Sequence, residues 1–471
     1  MHDLKTSTDV PVCPGCAERD RRIAQLESHI GKLEARVGQL EQMIEKLQRG
    51  GKRQAAPFAK GPPKDNPKTP GRKPGDDYGT KAYRAVPPVI DETYEAPLPQ
   101  RCPHCGQSQM ILEGVEPQYQ TEIPRRPIHR QFNVAVGRCT CCRKRVQGRH
   151  PLQTSNALGC CASQLGPDAQ ALIVQLNKEA GLSQGKIGRF FQTCFDIKLT
   201  RGGVCQSMLR AARRCKGPYQ AIVQSVPTSD WAVADETGWR IGGRSAWLHV
   251  AVTKQAAAYL IARPRGYAAS KMLLGEDYAG TLIHDGWAAY RRFMDAGHQT
   301  CLAHLLRRCD QMLELATRGA VVLPRKVKAL LTSALQVRDQ RDAEKITPAT
   351  AKRKAGQLQK QIAKLTQPTK TNPANERLAR HLYRNQDHLF TFLRHKEIDA
   401  TNWRAEQAIR PAVVNRKVWG GNRTEAGADA QSILMSVWQT ARLHQLDPLH
   451  WLSHLLRSPA PPLTLVAAPS G

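Results

Sequence analysis

Along residues 23–47 the apolar positions follow a heptad: Ile23, Ile30, Val37 and Ile44 alternate with Leu26, Leu33, Leu40 and Leu47. β-Branched residues at one core position and Leu at the other predict a parallel two-stranded coiled coil. A helix packed on its own domain would carry a broader apolar stripe. Residues 19–49 are therefore expected to form a dimerisation helix. From Gln164 to Cys215 the period is helical, and Ser183 and Thr200 each offer an N-cap hydroxyl ahead of an apolar run. Two short helices, then Thr200-Arg201-Gly202-Gly203-Val204 and a basic helix ending in Arg210, Arg213 and Arg214, suit either a helix-turn-helix or a plain helical connector. At Asp230 the pattern changes to that of buried strands, over 231–235, 247–252 and 258–262, followed by a helix over 268–274 and a fourth strand over 280–285. Residues 287–397 read as mostly helical with breaks at Pro324, Pro348, Pro368 and Pro373, and helices follow over 403–409 and 428–443, before a Pro-rich tail.

Composition adds partners to this outline. The 471 residues allow two to four domains, and 41% apolar with 23% charged residues is the balance of a globular chain, neither fibrous nor disordered. Lys and Arg outnumber Asp and Glu by 70 to 40, a formal charge of +30, which points to a polyanion and first of all to nucleic acid. No apolar run is long enough for a membrane span, and the start lacks the design of a signal peptide, so a cytosolic protein is expected. Its 14 cysteines are then thiols or metal ligands in preference to disulfides. Residues 50–75 hold seven Lys or Arg, one Asp, six Pro and five Gly, so they read as an extended basic linker. Within it, Arg72 and Lys73 of Pro70-Gly71-Arg72-Lys73-Pro74-Gly75 suit either a minor-groove arm or a solvated tether.

Two chemistries stand out. Cys102-Pro-His-Cys105 and, after 33 intervening residues, Cys139-Thr-Cys-Cys142 are paired knuckles whose four thiolates suit a structural Zn²⁺ in a zinc ribbon, with Cys141 able to replace a neighbour. The isolated Cys13-Pro-Gly-Cys16 pair reads as a free dithiol or as half of a zinc site shared across a dimer. The second chemistry is acidic. Asp235 and Asp285 end predicted strands, where a sheet holds a carboxylate rigidly, and Glu406 stands on a cationic helical segment. Each alone reads as a capping or solvated acid, but together they suit a pair of Mg²⁺ ions at a phosphodiester-cutting site. Arg410, Arg416 and Lys417 extend a cationic strip beyond Glu406 that can meet phosphates. Cys301 and His304 lack a second ligand pair and read as structural or positioning groups, and Trp239, Trp287 and Trp403 as core residues or base-stacking platforms.

The order of Ala-Asp235-Glu-Thr, Asp285-Gly-Trp-Ala-Ala-Tyr290, Cys301-Leu-Ala-His304-Leu-Leu-Arg307-Arg308 and Asn402-Trp-Arg-Ala-Glu406-Gln-Ala-Ile-Arg410-Pro411, followed by Asn415-Arg416-Lys417-Val-Trp419, resembles transposases of the insertion-sequence-66 family. The coiled coil, basic linker, paired knuckles and closing Asp447-Pro-Leu-His-Trp-Leu452 extend the resemblance over nearly the whole chain. It implies a multidomain α/β protein with a ribonuclease-H-like core and a DDE triad of Asp235, Asp285 and Glu406 binding two Mg²⁺ or Mn²⁺ ions. Such a protein would cut and join DNA at terminal inverted repeats, as a homodimer or larger assembly in the bacterial cytoplasm at the nucleoid, with accessory proteins of the same element as further partners. The implied order is coiled coil 19–49, linker 50–98, zinc ribbon 99–150, helical DNA-binding domain 160–227, core 228–300, helical insertion 301–397, core again 398–456 and tail 457–471. The rival readings are an inactive, domesticated repressor and a zinc-dependent nuclease.

Overall fold

The computed structural model describes residues 18, 21–31, 33–34, 36–37, 39, 85–108, 111–124, 126–159, 164–367 and 369–457. Cys13, Cys16, Leu40, Ile44, Leu47, Arg72, Lys73 and Pro368 lie outside them. The chain divides into two units, Met1–Thr121 and Glu122–Gly471.

In the first unit, the described residues between 18 and 39 are helical (α1) and present Ile23, Leu26, Ile30, Leu33 and Val37 to solvent. Its one knuckle is a tight turn in which the Cys102 amide donates to the Gln107 carbonyl at 2.7 Å and the Gly106 amide to that of Cys102 at 2.8 Å.

The second unit opens with an antiparallel hairpin, β1 (Val136–Arg138) and β2 (Arg145–Gln147), whose connection is the other knuckle. The Cys139 amide donates to Lys144 at 3.0 Å and the Arg143 amide back to Cys139 at 2.9 Å, the same turn as at Cys102. Then come α2 (Pro167–Lys178), α3 (Gln184–Phe195), α4 (Arg201–Arg214) and α5 (Lys216–Ser225). As the sequence predicts, Ser183 caps α3 by accepting from the Lys186 amide, and Thr200 caps α4 by accepting from that of Gly203.

A five-stranded sheet follows: β3 (Trp231–Ile241), β4 (Arg244–Val252), β5 (Ala257–Ala262), β6 (Thr281–His284) and β7 (Gly297–Thr300) in the order β5-β4-β3-β6-β7. The first three strands pair antiparallel, whereas β6 runs parallel to β3 and β7 parallel to β6, with α6 (Tyr267–Leu274) in the β5–β6 crossover. Alternation along β3 sends Trp231, Val233, Trp239 and Ile241 to one face and Ala232 and Ala234 to the other. The first face packs on α7 (Leu302–Leu315), α8 (Val322–Asp342), α9 (Pro348–Thr366), α10 (Pro373–Arg384) and α11 (Trp403–Trp419). The alanine face packs with α2, α3, α4, α5, α6, α12 (Glu425–Leu443) and α13 (Pro448–Arg457).

α12 runs along the free edge of β5. Ser432, Ser436 and Thr440, one turn apart, accept hydrogen bonds from the amides of Ile261, Tyr259 and Ala257 at 3.0, 2.8 and 3.1 Å. These are the donors an edge strand leaves unpaired.

Three expectations of the chain pattern are corrected here. Four strands were expected, but β7 adds a fifth within the stretch read as helical, because its polar residues are satisfied internally: Gln299 donates to Leu389 at 3.1 Å and accepts from the Phe392 amide at 3.1 Å. Pro324 does not break a helix but sits in the first turn of α8, whereas the expected breaks at Pro348 and Pro373 stand, each proline opening the next helix, α9 or α10, where the missing amide costs nothing. α11 continues through Pro411 to Trp419, well past Ile409, and α13 forms within the closing motif.

Candidate active site

Sheet register brings the first two acids together. Val233 pairs with Ile283 on the parallel neighbours β3 and β6, so Asp235 and Asp285, each two residues on, come side by side. Asp285 follows the end of β6, whereas Asp235, expected to end its strand, lies within β3, which runs on to Ile241 because its ladder with β4 continues past Val250. The Asp285 carboxylate accepts the Trp287 amide at 2.7 Å, closing a tight turn through Gly286 at φ 91°. A Cβ at Gly286 would lie 2.9 Å from His381 of α10, so only glycine lets that helix approach the turn.

The third acid arrives on a helix. Glu406 occupies the first turn of α11, which packs on β3. Its Oε1 accepts from Arg307 Nη2 at 2.9 Å, with His304 Nε2 at 3.7 Å, so α7 supplies a cation and an imidazole that burial and Arg307 hold below its usual range. The three charges act on one another. Burial, and then the neighbouring charges of Glu236, Asp285 and Glu406, push the Asp235 carboxyl up to about 7, against a hydrogen bond from the Glu236 amide. Among the described residues, no three His, Cys, Asp or Glu side chains are drawn together closely enough to hold a metal ion as they stand.

The remaining sequence candidates divide. Arg410 and Lys417 are exposed on α11, but Arg416 turns inward, donating to Thr237 Oγ1 at 3.1 Å and to the Gly238 carbonyl. Trp239 is core, its ring edge-on to Trp419 and its Nε1 donating to Asn422 at 2.8 Å. Trp403 is 41% exposed, with Arg404 over its ring. Cys301 is buried at the start of α7, where the Leu302 amide donates to the Ala400 carbonyl at 3.0 Å and joins the loop before α11 to α7. At the knuckles, backbone and side-chain hydrogen bonds from within each turn hold the Cys102 and Cys139 thiols below their usual range, the state a metal ligand needs.

Two sets of residues near the acids escaped the sequence reading. Buried Glu236 accepts from Tyr290 Oη at 2.9 Å and from Arg265, whose guanidinium lies between Trp247 and Trp287. Behind Asp285, His284 Nδ1 accepts the Gly286 amide at 2.9 Å, which leaves its Nε2 proton to face His298 Nδ1 at 3.2 Å. His298 Nε2 then lies 3.0 Å from the Phe293 carbonyl, so the pair braces the turn as neutral rings. Burial lowers both, His298 to about 4.

The model of the Transposase IS66 family matches residues 162–430, more than half of the chain, and spans Asp235, Asp285 and Glu406. The chain belongs to the IS66 family of transposases. The +30 charge suits a polyanionic partner. An uncharacterized protein, y4hP, of Sinorhizobium fredii (strain NBRC 101917 / NGR234) is 34% identical over 65 residues, which cover 14% of the chain and 12% of that relative. No helix among the described residues is long and apolar enough to cross a membrane.

Proposed function

We propose that the IS66 transposase cuts and joins DNA strands through Asp235, Asp285 and Glu406, on a core of the ribonuclease-H type. The observation that carries this reading is the register of β3 and β6, which sets Asp235, within β3, beside Asp285, just past the end of β6, while α11 adds a third acid within electrostatic range. The β5-β4-β3-β6-β7 order, three antiparallel strands followed by two parallel ones, supports the fold assignment.

The donor set fits Mg²⁺ or Mn²⁺. It is all carboxylate oxygen, and Asp235 holds its proton to about 7 because it is buried and, after that, because acids surround it, a condition a divalent cation relieves. Two such ions, held by Asp235, Asp285 and Glu406, would supply charge neutralisation for the attacking and leaving oxygens. The chain's own share is positional. The sheet fixes Asp235, the Gly286 turn and its histidine brace fix Asp285, and Arg307 holds Glu406 at the mouth of the site. Exposed Arg410, one turn beyond Glu406, faces the same phosphate, and Lys417 continues the cationic strip.

The test is a duplex bearing the ends of the parent element, incubated with purified protein and Mg²⁺ or Mn²⁺. Nicking is expected for the wild type and a loss of at least about a thousandfold for Asp235→Ala. Equal cutting by both would refute the site, binding without cutting by both would favour a repressor, and activity that follows Zn²⁺ would favour the zinc nuclease.

Around this core, the helical segment and the paired knuckles would recognise terminal inverted repeats, with accessory proteins of the element as further partners. The matching turns at Cys102 and Cys139, each with a lowered thiol, suit each CxxC pair to metal binding, and the spacing of the two pairs in the sequence makes Cys102, Cys105, Cys139 and Cys142 the candidate ligands of a structural Zn²⁺. Elemental analysis of the Cys102→Ser, Cys139→Ser double variant is expected to find the zinc gone, and an unchanged content would remove the ribbon.

A further inference from the structure

Arg265 lies in the loop between β5 and α6, and its guanidinium is held on three sides. Trp247 and Trp287 lie on it with ring centroids at 4.4 and 4.6 Å, while Nε and Nη2 donate to Glu236 Oε1 at 3.2 and 2.9 Å. The Glu236 side chain is 2% exposed, and the Tyr290 hydroxyl donates to its other oxygen at 2.9 Å. The arginine itself remains 45% exposed, and among the described residues no protein group takes up its Nη1.

We propose that Trp247, Arg265 and Trp287 form a preset clamp in which Arg265 holds a DNA phosphate flanking the one that reacts. A partner for Glu236 needs only a cation. Two indole faces in addition select a planar one and remove its rotamer freedom before DNA arrives, so the ordering cost is met in folding rather than in binding. The free edge of such a guanidinium suits a phosphate oxygen.

The clamp is tied to the backbone of both aspartates. Glu236 follows Asp235 on β3 and points to the opposite face of the sheet, and the Trp287 amide donates to Asp285. A phosphate held there is therefore offset from the one that meets the carboxylates by a fixed step along the DNA, and in this respect the inference rests on the catalytic reading above.

The test measures DNA binding without cutting. Full-length protein is titrated against a fluorescent duplex of about 20 base pairs of arbitrary sequence, with Ca²⁺ in place of Mg²⁺, over a range of salt concentrations. One phosphate contact contributes about 0.9 to the slope of log affinity against log salt, so Arg265→Gln is expected to lower the slope by about that much and to weaken binding several-fold. Arg265→Lys keeps the charge but loses the fork and the stack, so it is expected to keep the slope while binding more weakly.

A wild-type slope in Arg265→Gln would overturn the clamp and leave Arg265 as a counter-ion for Glu236. Should the variants fail to fold, the wild type serves. Phenylglyoxal labelling of the Arg265 peptide, read by mass spectrometry, is expected to fall when the duplex is bound, and equal labelling with and without DNA would overturn the proposal. Neither readout depends on cleavage. Protein that protects Arg265 yet never cuts would sink the catalytic reading alone, and protein that cuts with Arg265 unprotected would sink only the clamp.

Discussion

Asp235 makes the ion-free site costly to fold, and the sign of that cost is measurable. Its carboxyl is raised from the ordinary aspartate value to about 7, so between about pH 4 and 7 the folded chain binds a proton that the unfolded chain has released. The stability linked to this group is therefore fully present near pH 4 and is lost as the pH rises through 7. Asp235→Asn removes the titration and is expected to leave stability near pH 4 almost unchanged, while raising it near pH 8 by up to a few kcal/mol. Thermal melts across that range check it, and parallel curves for the two proteins would refute it. Mg²⁺ should raise the melting temperature of the wild type and not that of the variant. Asp285 and Glu406 were legible because a strand end and an acid among cations are visible in one dimension, whereas Asp235 reads in the sequence as a strand end and lies within β3 instead. Glu236 and Arg265 were not legible, because an acid next to an acid reads as strand pattern, and the meeting of Arg265 with Trp247 and Trp287 exists only once the loop after β5 and the turn after β6 are folded.

At the scale of elements, the clearest device is the row of hydroxyls on α12. Serine and threonine are weak helix formers, and from sequence alone Ser432, Ser436 and Thr440 only dilute an apolar helix. In the fold they close the edge of β5. Ser436→Ala would strand the buried Tyr259 amide, at a cost of about 1–3 kcal/mol. In denaturant unfolding the midpoint should drop with the slope unchanged, and a shift below about 0.5 kcal/mol would show that water or a backbone adjustment replaces the hydroxyl. The misread elements share one cause. β7 is polar in sequence but buried, with Gln299 satisfied by backbone from the 386–393 segment, and Pro324 sits in the one turn of a helix that tolerates proline. Hydrophobic period finds elements that bury apolar side chains and misses those held by polar contacts made at long range. Lys178 belongs to the second kind: buried at the end of α2, it meets Gln431 of α12, and burial lowers it to about 7, which no local pattern foretells.

For the whole molecule, the proposed strand joining raises the question of how two DNA ends are served. On that reading each end meets a carboxylate cluster of its own, and each chain carries one Asp235, one Asp285 and one Glu406, so the reading calls for two copies. α1 offers the means. Its described apolar residues Ile23, Leu26, Ile30, Leu33 and Val37 are between 46 and 60% exposed in the single chain, an arrangement that buries nothing until a second helix covers it. The chain's charge of +30 opposes association, so the apolar seam must outweigh a repulsion that salt screens. Sedimentation is then expected to give a dimer for the full chain, strengthened as salt rises, and a monomer when residues 1–49 are removed. Leu33→Glu, which sets two like charges in the seam and leaves the rest of the chain intact, should also give a monomer, with nicking retained but paired-end joining lost. Dimers that persist through both changes would place the interface elsewhere. Monomers that still join two ends would show that DNA, not the helix, holds the assembly together.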